Sequence, residues 1–167
     1  MSNYTDYTII VEGCDLTGKD TLCLKLAEKY NLDFVHINSH DPNDFDFYIQ
    51  TMRKKNVVYS RHWVGELIYP EIYNRPGNLN GNLAFQLECF GKDHDNIRIM
   101  VLTCEDEEIF RRLAVRGEEV ENVRNNLSRI NREFLENAER YHIPVVDTSK
   151  VSFEDICHYI ETGEVTW

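Results

Sequence analysis

The sequence predicts an α/β domain in which a mostly parallel central sheet lies between two layers of helices, and three observations carry that prediction. Short runs of β-branched and apolar residues recur along the chain, each bounded by turn or polar residues. Segments with apolar residues at helical spacing stand between them, and parallel strands need such crossover connections. The 167 residues suit one domain, spanning 1–167, large enough to bury about two-thirds of the surface its unfolded chain exposes.

In chain order, Tyr7–Val11 reads as the first buried strand. The helix Thr21–Tyr30 follows, with Leu22, Leu26 and Tyr30 on one stripe and Lys25, Glu28 and Lys29 elsewhere. Ser39–Asn43, around Pro42, reads as a loop, and His36 and His40 fall in the same polar stretch. Asn56–Ser60 is the second strand. The loosest region is Asn74–Gly81, marked by Pro76, Gly77 and Gly81. Beyond it, Leu83 to Leu87 with Phe90 form an apolar helical stretch, and Ile97–Thr103 is the third strand. Val120–Tyr141 spaces Val123, Leu127, Ile130, Phe134, Leu135 and Ala138 at helical intervals among many charges, as a long surface helix does. Ile143–Asp147 is the fourth strand, and Phe153–Ile160 closes the chain with Ile156, Tyr159 and Ile160 inward.

Charge narrows the partners. With 29 acidic against 18 basic side chains, the net charge of −11 repels nucleic acid polymers and acidic lipid surfaces, both of which bind by phosphate neutralisation. Small anions remain possible ligands wherever a few cations cluster. No apolar run approaches the roughly 18 residues of a membrane helix. The N-terminus lacks the basic stretch and apolar core of a signal peptide, so a cytoplasmic protein is expected, in the host cytoplasm if the chain is viral. The five cysteines include no C-x-x-C pair and read as reduced, buried thiols. The histidines have no metal-ligand spacing.

The chemistry begins where the first strand ends. Glu12 is followed by Gly13-Cys14-Asp15-Leu16-Thr17-Gly18-Lys19-Asp20-Thr21, which opens into a helix. This G-x-x-x-x-G-K spacing wraps the phosphates of a nucleoside triphosphate. The glycines let backbone N–H groups converge on phosphate oxygens, the helix N-terminus adds partial positive charge, and Lys19 supplies a point charge. After the lysine the pattern calls for Ser or Thr, whose hydroxyl takes part in holding magnesium. Asp20 stands there instead, with Thr21 one place later; a carboxylate is also a hard oxygen ligand, so Asp20 and Thr21 are the candidate Mg2+ ligands.

On Glu12-Gly13-x-Asp15-x-x-Gly18-Lys19 the sequence resembles the P-loop nucleoside monophosphate kinases, and within them the thymidylate kinase group. The resemblance implies a P-loop NTPase fold, a three-layer α/β/α sandwich with a short Arg-rich lid. Further landmarks fall in the family's order. Val57-Val58-Tyr59-Ser60-Arg61-His62 is similar to the family's strand ending in D-R-[YFH], with Ser60 in place of the acid. The resemblance gives Arg61 the acceptor phosphate and leaves His62 close to the substrate. Arg111-Arg112-Leu113-Ala114-Val115-Arg116-Gly117 resembles the lid, expected over about 111–121, whose Arg112 and Arg116 lie four apart and close over the transferring group. Asp147-Thr148-Ser149 is similar to the loop that packs on adenine.

The acceptor region is the most divergent. The resemblance implies that Asp15 touches the acceptor sugar or the magnesium. The shortened segment Asp44–Arg53 offers Phe45, Phe47 or Tyr48 for stacking on the base and Gln50 or Arg53 for polar contact. The run from Glu66 to Arg75 is similar to phage-type deoxynucleotide kinases, in which Tyr69, Tyr73 and Arg75 frame the base or its phosphate. The implied activity is Mg2+-dependent transfer of the γ-phosphoryl group of ATP to a deoxynucleoside monophosphate, dTMP or a related pyrimidine nucleotide, by a homodimer. Two alternatives remain at this point: a deoxynucleoside kinase using Glu12 as the base on a 5′-hydroxyl, and a nucleotide-binding regulator with weak or no turnover.

Overall fold

Residues 6–116 and 121–167 are described in a computed structural model of the chain; Gly117, Glu118 and Val120 of the expected lid and helix lie outside them, as does the side chain of Val123. The strands are β1 (Thr8–Gly13), β2 (Asp33–His36), β3 (Val57–Ser60), β4 (Ile97–Thr103) and β5 (Val145–Asp147). They form one sheet in the order β2-β3-β1-β4-β5, and every neighbouring pair is parallel rather than most of them.

Alternation along the strands sends side chains to two cores. One face carries Ile10, Val57, Tyr59, Ile97 and Val101. It is covered by α2 (Phe45–Arg53), α5 (Gly81–Lys92) and α7 (Glu121–Arg140) through Tyr48 and Met52, Ala84 and Leu87, and Ile130, Phe134 and Ala138. The other face carries Ile9, Val11, Val58, Met100, Leu102 and Val146 against α1 (Lys19–Tyr30) and α8 (Phe153–Thr162). β1, β3 and β5 have neighbours on both faces, so they read as apolar runs.

β2 is a fifth strand in a stretch for which the sequence reading gives no strand, just ahead of the loop read at Ser39–Asn43. It pairs only with β3, at the edge of the sheet, and all four of its residues are exposed. An edge strand with little burial carries no alternating apolar pattern, and Asp33 and His36 hide it further. Two one-turn helices, α3 (Trp63–Glu66) and α4 (Tyr69–Ile72), follow β3, and α6 (Asp106–Val115) follows β4. Among the described residues, side-chain caps begin three helices: Asp44 accepts from Phe47 N, Asn80 from Leu83 N and Ser152 from Asp155 N. Within α5 the core takes Ala84 and Leu87 while Phe85 points outward, 58% exposed. Among the described residues no helix is long and apolar enough to cross a membrane.

Candidate active site

The parallel topology gathers the carboxyl ends of β1 and β3 side by side, the position where ligands bind in open α/β sheets. The phosphate loop leaves the end of β1. Gly13 takes φ 137° and its added Cβ would lie 2.5 Å from the Leu102 carbonyl oxygen, so no other residue fits. Gly18, at φ 90°, is the N-cap of α1. Leu16, between the two loop glycines, adopts φ 69°, a left-handed conformation that L side chains rarely take.

Lys19 is 6% exposed and its Nζ donates to the Cys14 carbonyl at 2.8 Å, so the amine sits inside the loop. Burial lowers its pKa, opposed by Asp15, whose Oδ1 is 4.0 Å away. Thr17 closes the loop by donating to the Cys14 carbonyl at 2.8 Å. Burial also pushes the Cys14 thiol up to about 12, which makes it an inert loop residue.

Two cavities share this loop as a wall. The smaller, about 370 Å3, is lined by Asp15, Tyr48, Arg61, His62, Tyr69, Tyr73 and Arg75 among the sequence-predicted residues. The larger, about 560 Å3, is lined by Leu16, Thr17, Gly18, Thr21, Arg112, Arg116 and Thr148. Both volumes fall in the range of small-molecule sites.

In the smaller cavity Arg61 stands at the end of β3 with φ 69°, a strained backbone of the kind stored at functional sites. Its guanidinium donates to Asp15 Oδ1 at 2.8 Å and lies 5.2 Å from the Tyr69 ring centroid. Its Nε and the Tyr69 hydroxyl are buried without a hydrogen-bond partner among the described residues. Tyr69 and Tyr73 stack with planes 10° apart, and Tyr48 donates to Asn43 Oδ1 at 2.8 Å. Arg75 is drawn in by Glu66, a 5% exposed carboxylate at 3.5 Å whose Oε1 also accepts from Asn78 N.

Several expectations need correction in detail. Phe45 does not line the cavity; it packs partly buried against the core because α2 turns that face inward. His62 lines the cavity, but burial lowers its pKa to about 3, so it is a neutral imidazole, and its Nε2 is engaged by Thr51 Oγ1 at 2.7 Å. It offers no positive charge to a phosphate. Glu12 is 0% exposed and lines neither cavity; its oxygens accept from His62 N at 2.6 Å and Gly65 N at 2.8 Å, fixing the turn after β3. Arg112 and Arg116 both line the larger cavity and not the smaller. Arg112 donates to the Leu16 carbonyl and pairs with Glu108 at 2.9 Å. Of the loop 147–149, Thr148 alone lines the larger cavity, and Asp147 accepts instead from Ser149 N at 3.0 Å as a turn.

Asn38, Ser39, Asn43, Gly65 and Glu66 also line the smaller cavity, and their sequence pattern singles out none of them. The W-x-x-E spacing of Trp63 and Glu66 after Arg61 was the one signal that could have found Glu66.

The oxygens near the loop suit magnesium. Asp20 is 65% exposed at its side chain, and its Oδ1 accepts from Ser60 Oγ at 2.9 Å. Mg2+ takes one or two carboxylates and otherwise water and substrate phosphates. Among the described residues no group of three or more His, Cys, Asp or Glu could hold a metal ion. Thr21 lines the larger cavity, apart from the Asp20–Ser60 pair.

No protein-family model matches the chain, and no curated protein sequence matches it. Solved structures do. The YorR protein of Bacillus subtilis, solved with phosphorylated GDP, superposes with a TM-score of 0.76 at 21% identity over 92% of this chain and 93% of its own. The thymidylate kinase of Candida albicans gives 0.59 at 16% identity over 95% and 92%. The deoxyadenosine kinase of M. mycoides with bound dCTP gives 0.54 at 16% identity over 92% and 95%. The five-stranded parallel sheet with helices on both faces is the α/β fold of the P-loop kinases.

Proposed function

We propose that the protein transfers the γ-phosphoryl group of ATP, with Mg2+, to a deoxynucleoside monophosphate, dTMP or a related pyrimidine nucleotide. One observation carries the reading: two cavities of nucleotide size share the phosphate loop as a wall, one provided with Arg61 and Arg75, the other with Arg112 and Arg116. Phosphoryl transfer needs positioning and charge stabilisation more than covalent help. In this reading the larger cavity holds ATP, and Lys19 exchanges the Cys14 carbonyl for a terminal phosphate oxygen. Asp20, at the start of α1, would hold Mg2+, and the ion would supply charge neutralisation to the nucleotide's phosphates. Arg61, braced by Asp15 and Tyr69, anchors the acceptor phosphate, and the stacked Tyr69 and Tyr73 face the base. Arg112 and Arg116 exclude water from the donor side. An ionised acceptor phosphate oxygen attacks without a general base.

The nucleoside kinase alternative loses its proposed base, because Glu12 is sealed from the cavity and both its oxygens are engaged. A panel of nucleosides and monophosphates with MgATP, read as ADP release, tests the proposal. Turnover with monophosphates, dTMP foremost, is expected. Turnover with nucleosides alone would overturn it, and nucleotide binding without any turnover would leave the regulator. The implied homodimer is read separately by sedimentation, with Phe85 on the outer face of α5 as the residue to replace.

A further inference from the structure

Two departures from the expected pattern, Asp20 in the loop and Ser60 at the end of β3, lie 40 residues apart in sequence and touch in the fold. Ser60 Oγ donates to Asp20 Oδ1 at 2.9 Å. The contact follows from topology. Ser60 pairs with Val11 in the β1–β3 ladder, directly below the phosphate loop, and α1 packs back over β3. Ser60 is 0% exposed, whereas the Asp20 side chain is 65% exposed and its Oδ2 accepts no hydrogen bond among the described residues.

P-loop phosphotransfer sites set a hydroxyl after the loop lysine and a carboxylate on a neighbouring strand, both serving the nucleotide's magnesium. We propose that this chain has exchanged the two: Asp20 supplies the carboxylate from the loop, Ser60 supplies the hydroxyl from the strand, and the pair together serves the same divalent cation. The inference rests on the phosphoryl-transfer reading above and specifies how its metal is held. Charge supports it. A hydroxyl at both positions would leave the ion no carboxylate, and carboxylates at both would set two like charges at hydrogen-bond distance, beside the nucleotide's own phosphates. The exchanged pair keeps one of each, so the net charge near the phosphates is unchanged. His36, with Nδ1 3.7 Å from Asp20 Oδ1, also approaches that carboxylate and leaves Oδ2 open.

The test is a double exchange read by binding rather than turnover. Calorimetry measures ADP affinity with and without Mg2+, and electron paramagnetic resonance measures Mn2+ bound with ADP, for wild type, Asp20→Ser, Ser60→Asp and the double variant. In wild type, Mg2+ should tighten ADP; each single variant should lose about tenfold of that gain, and the double variant should recover it, the non-additivity of residues sharing one task. Full gain in Asp20→Ser, or none recovered in the double variant, overturns the proposal. If Ser60→Asp or the double variant fails to fold by circular dichroism, Asp20→Asn and Ser60→Ala decide: both must lose the metal-dependent gain, and retention by either overturns it. Wild type that binds no ADP with Mg2+ defeats the phosphoryl-transfer reading itself, a result separate from the variants.

Discussion

Glu12 gives the sharpest test of the physical reasoning, because its environment pulls in two directions. It is wholly buried, and burial raises its pKa from the ordinary 4.5 to about 7, against the lowering effect of the His62 and Gly65 amides and of Lys19 and Arg61. The perturbation is Glu12→Gln, which keeps the shape and removes the titration. Between pH 4.5 and about 7 the folded protein holds a proton at Glu12 that the unfolded chain has released. Rising pH therefore costs stability across that window, and the loss levels off above it. At about 1.4 kcal/mol for each pH unit between the two values, the cost is about 3 kcal/mol. The variant carries a pH-independent penalty of about 1–3 kcal/mol, since its amide cannot accept from both N–H groups. Urea denaturation of both proteins from about pH 4.5 to 8 separates these effects. The stability of wild type relative to Glu12→Gln should fall by about 3 kcal/mol as pH rises. A difference that stays flat would mean that the two amides and two cations keep Glu12 ionised throughout, and the reasoning from burial would be refuted.

Three further outcomes follow from the site. Lys19→Ala should lose phosphoryl transfer by at least about 100-fold, the scale of a removed transition-state donor, with little change in urea midpoint; turnover assays with the same preparation check both. Arg61→Ala should raise the acceptor KM by about 10- to 100-fold, the value of a lost charged hydrogen bond, while leaving the KM for ATP within a few fold. In iodoacetamide labelling followed by mass spectrometry, Cys89 should react first, because it is the one partly exposed thiol; Cys14, Cys23, Cys104 and Cys157 are buried. Early labelling of Cys14 would show that the phosphate loop opens.

The legible parts were those in which one residue pattern answers one local demand. β1, β3 and β4 announce themselves because burial selects apolar runs, and the loop from Gly13 to Lys19 because Gly13 and Gly18 answer its positive φ angles. β2 was not legible, since an exposed edge strand imposes no pattern. The smaller cavity was half legible: Arg61, Tyr69 and Arg75 sit in recognisable company, whereas Asn38, Asn43 and Glu66 reach it from turns whose course depends on tertiary packing. Phe45 shows the limit in the other direction, because an aromatic residue at helical spacing satisfies a core as readily as a ligand. The contact between Asp20 and Ser60 could not be read at all, since each looked like a separate loss until the β1–β3 register joined them.

The strand order has a consequence for how such a protein diversifies. Apart from Asp15, the smaller cavity draws its walls from residues 37–75, whereas the larger, apart from the loop and α1, draws on residues 111–156. β1, in the middle of the sheet, is the hinge between these two stretches of chain. Among the described residues each cavity is thus written in its own passage of sequence, with the phosphate loop between them. Recombination or rapid drift confined to one passage can rewrite one ligand site and leave the other intact. Divergence concentrated between β2 and α5 is what that arrangement permits.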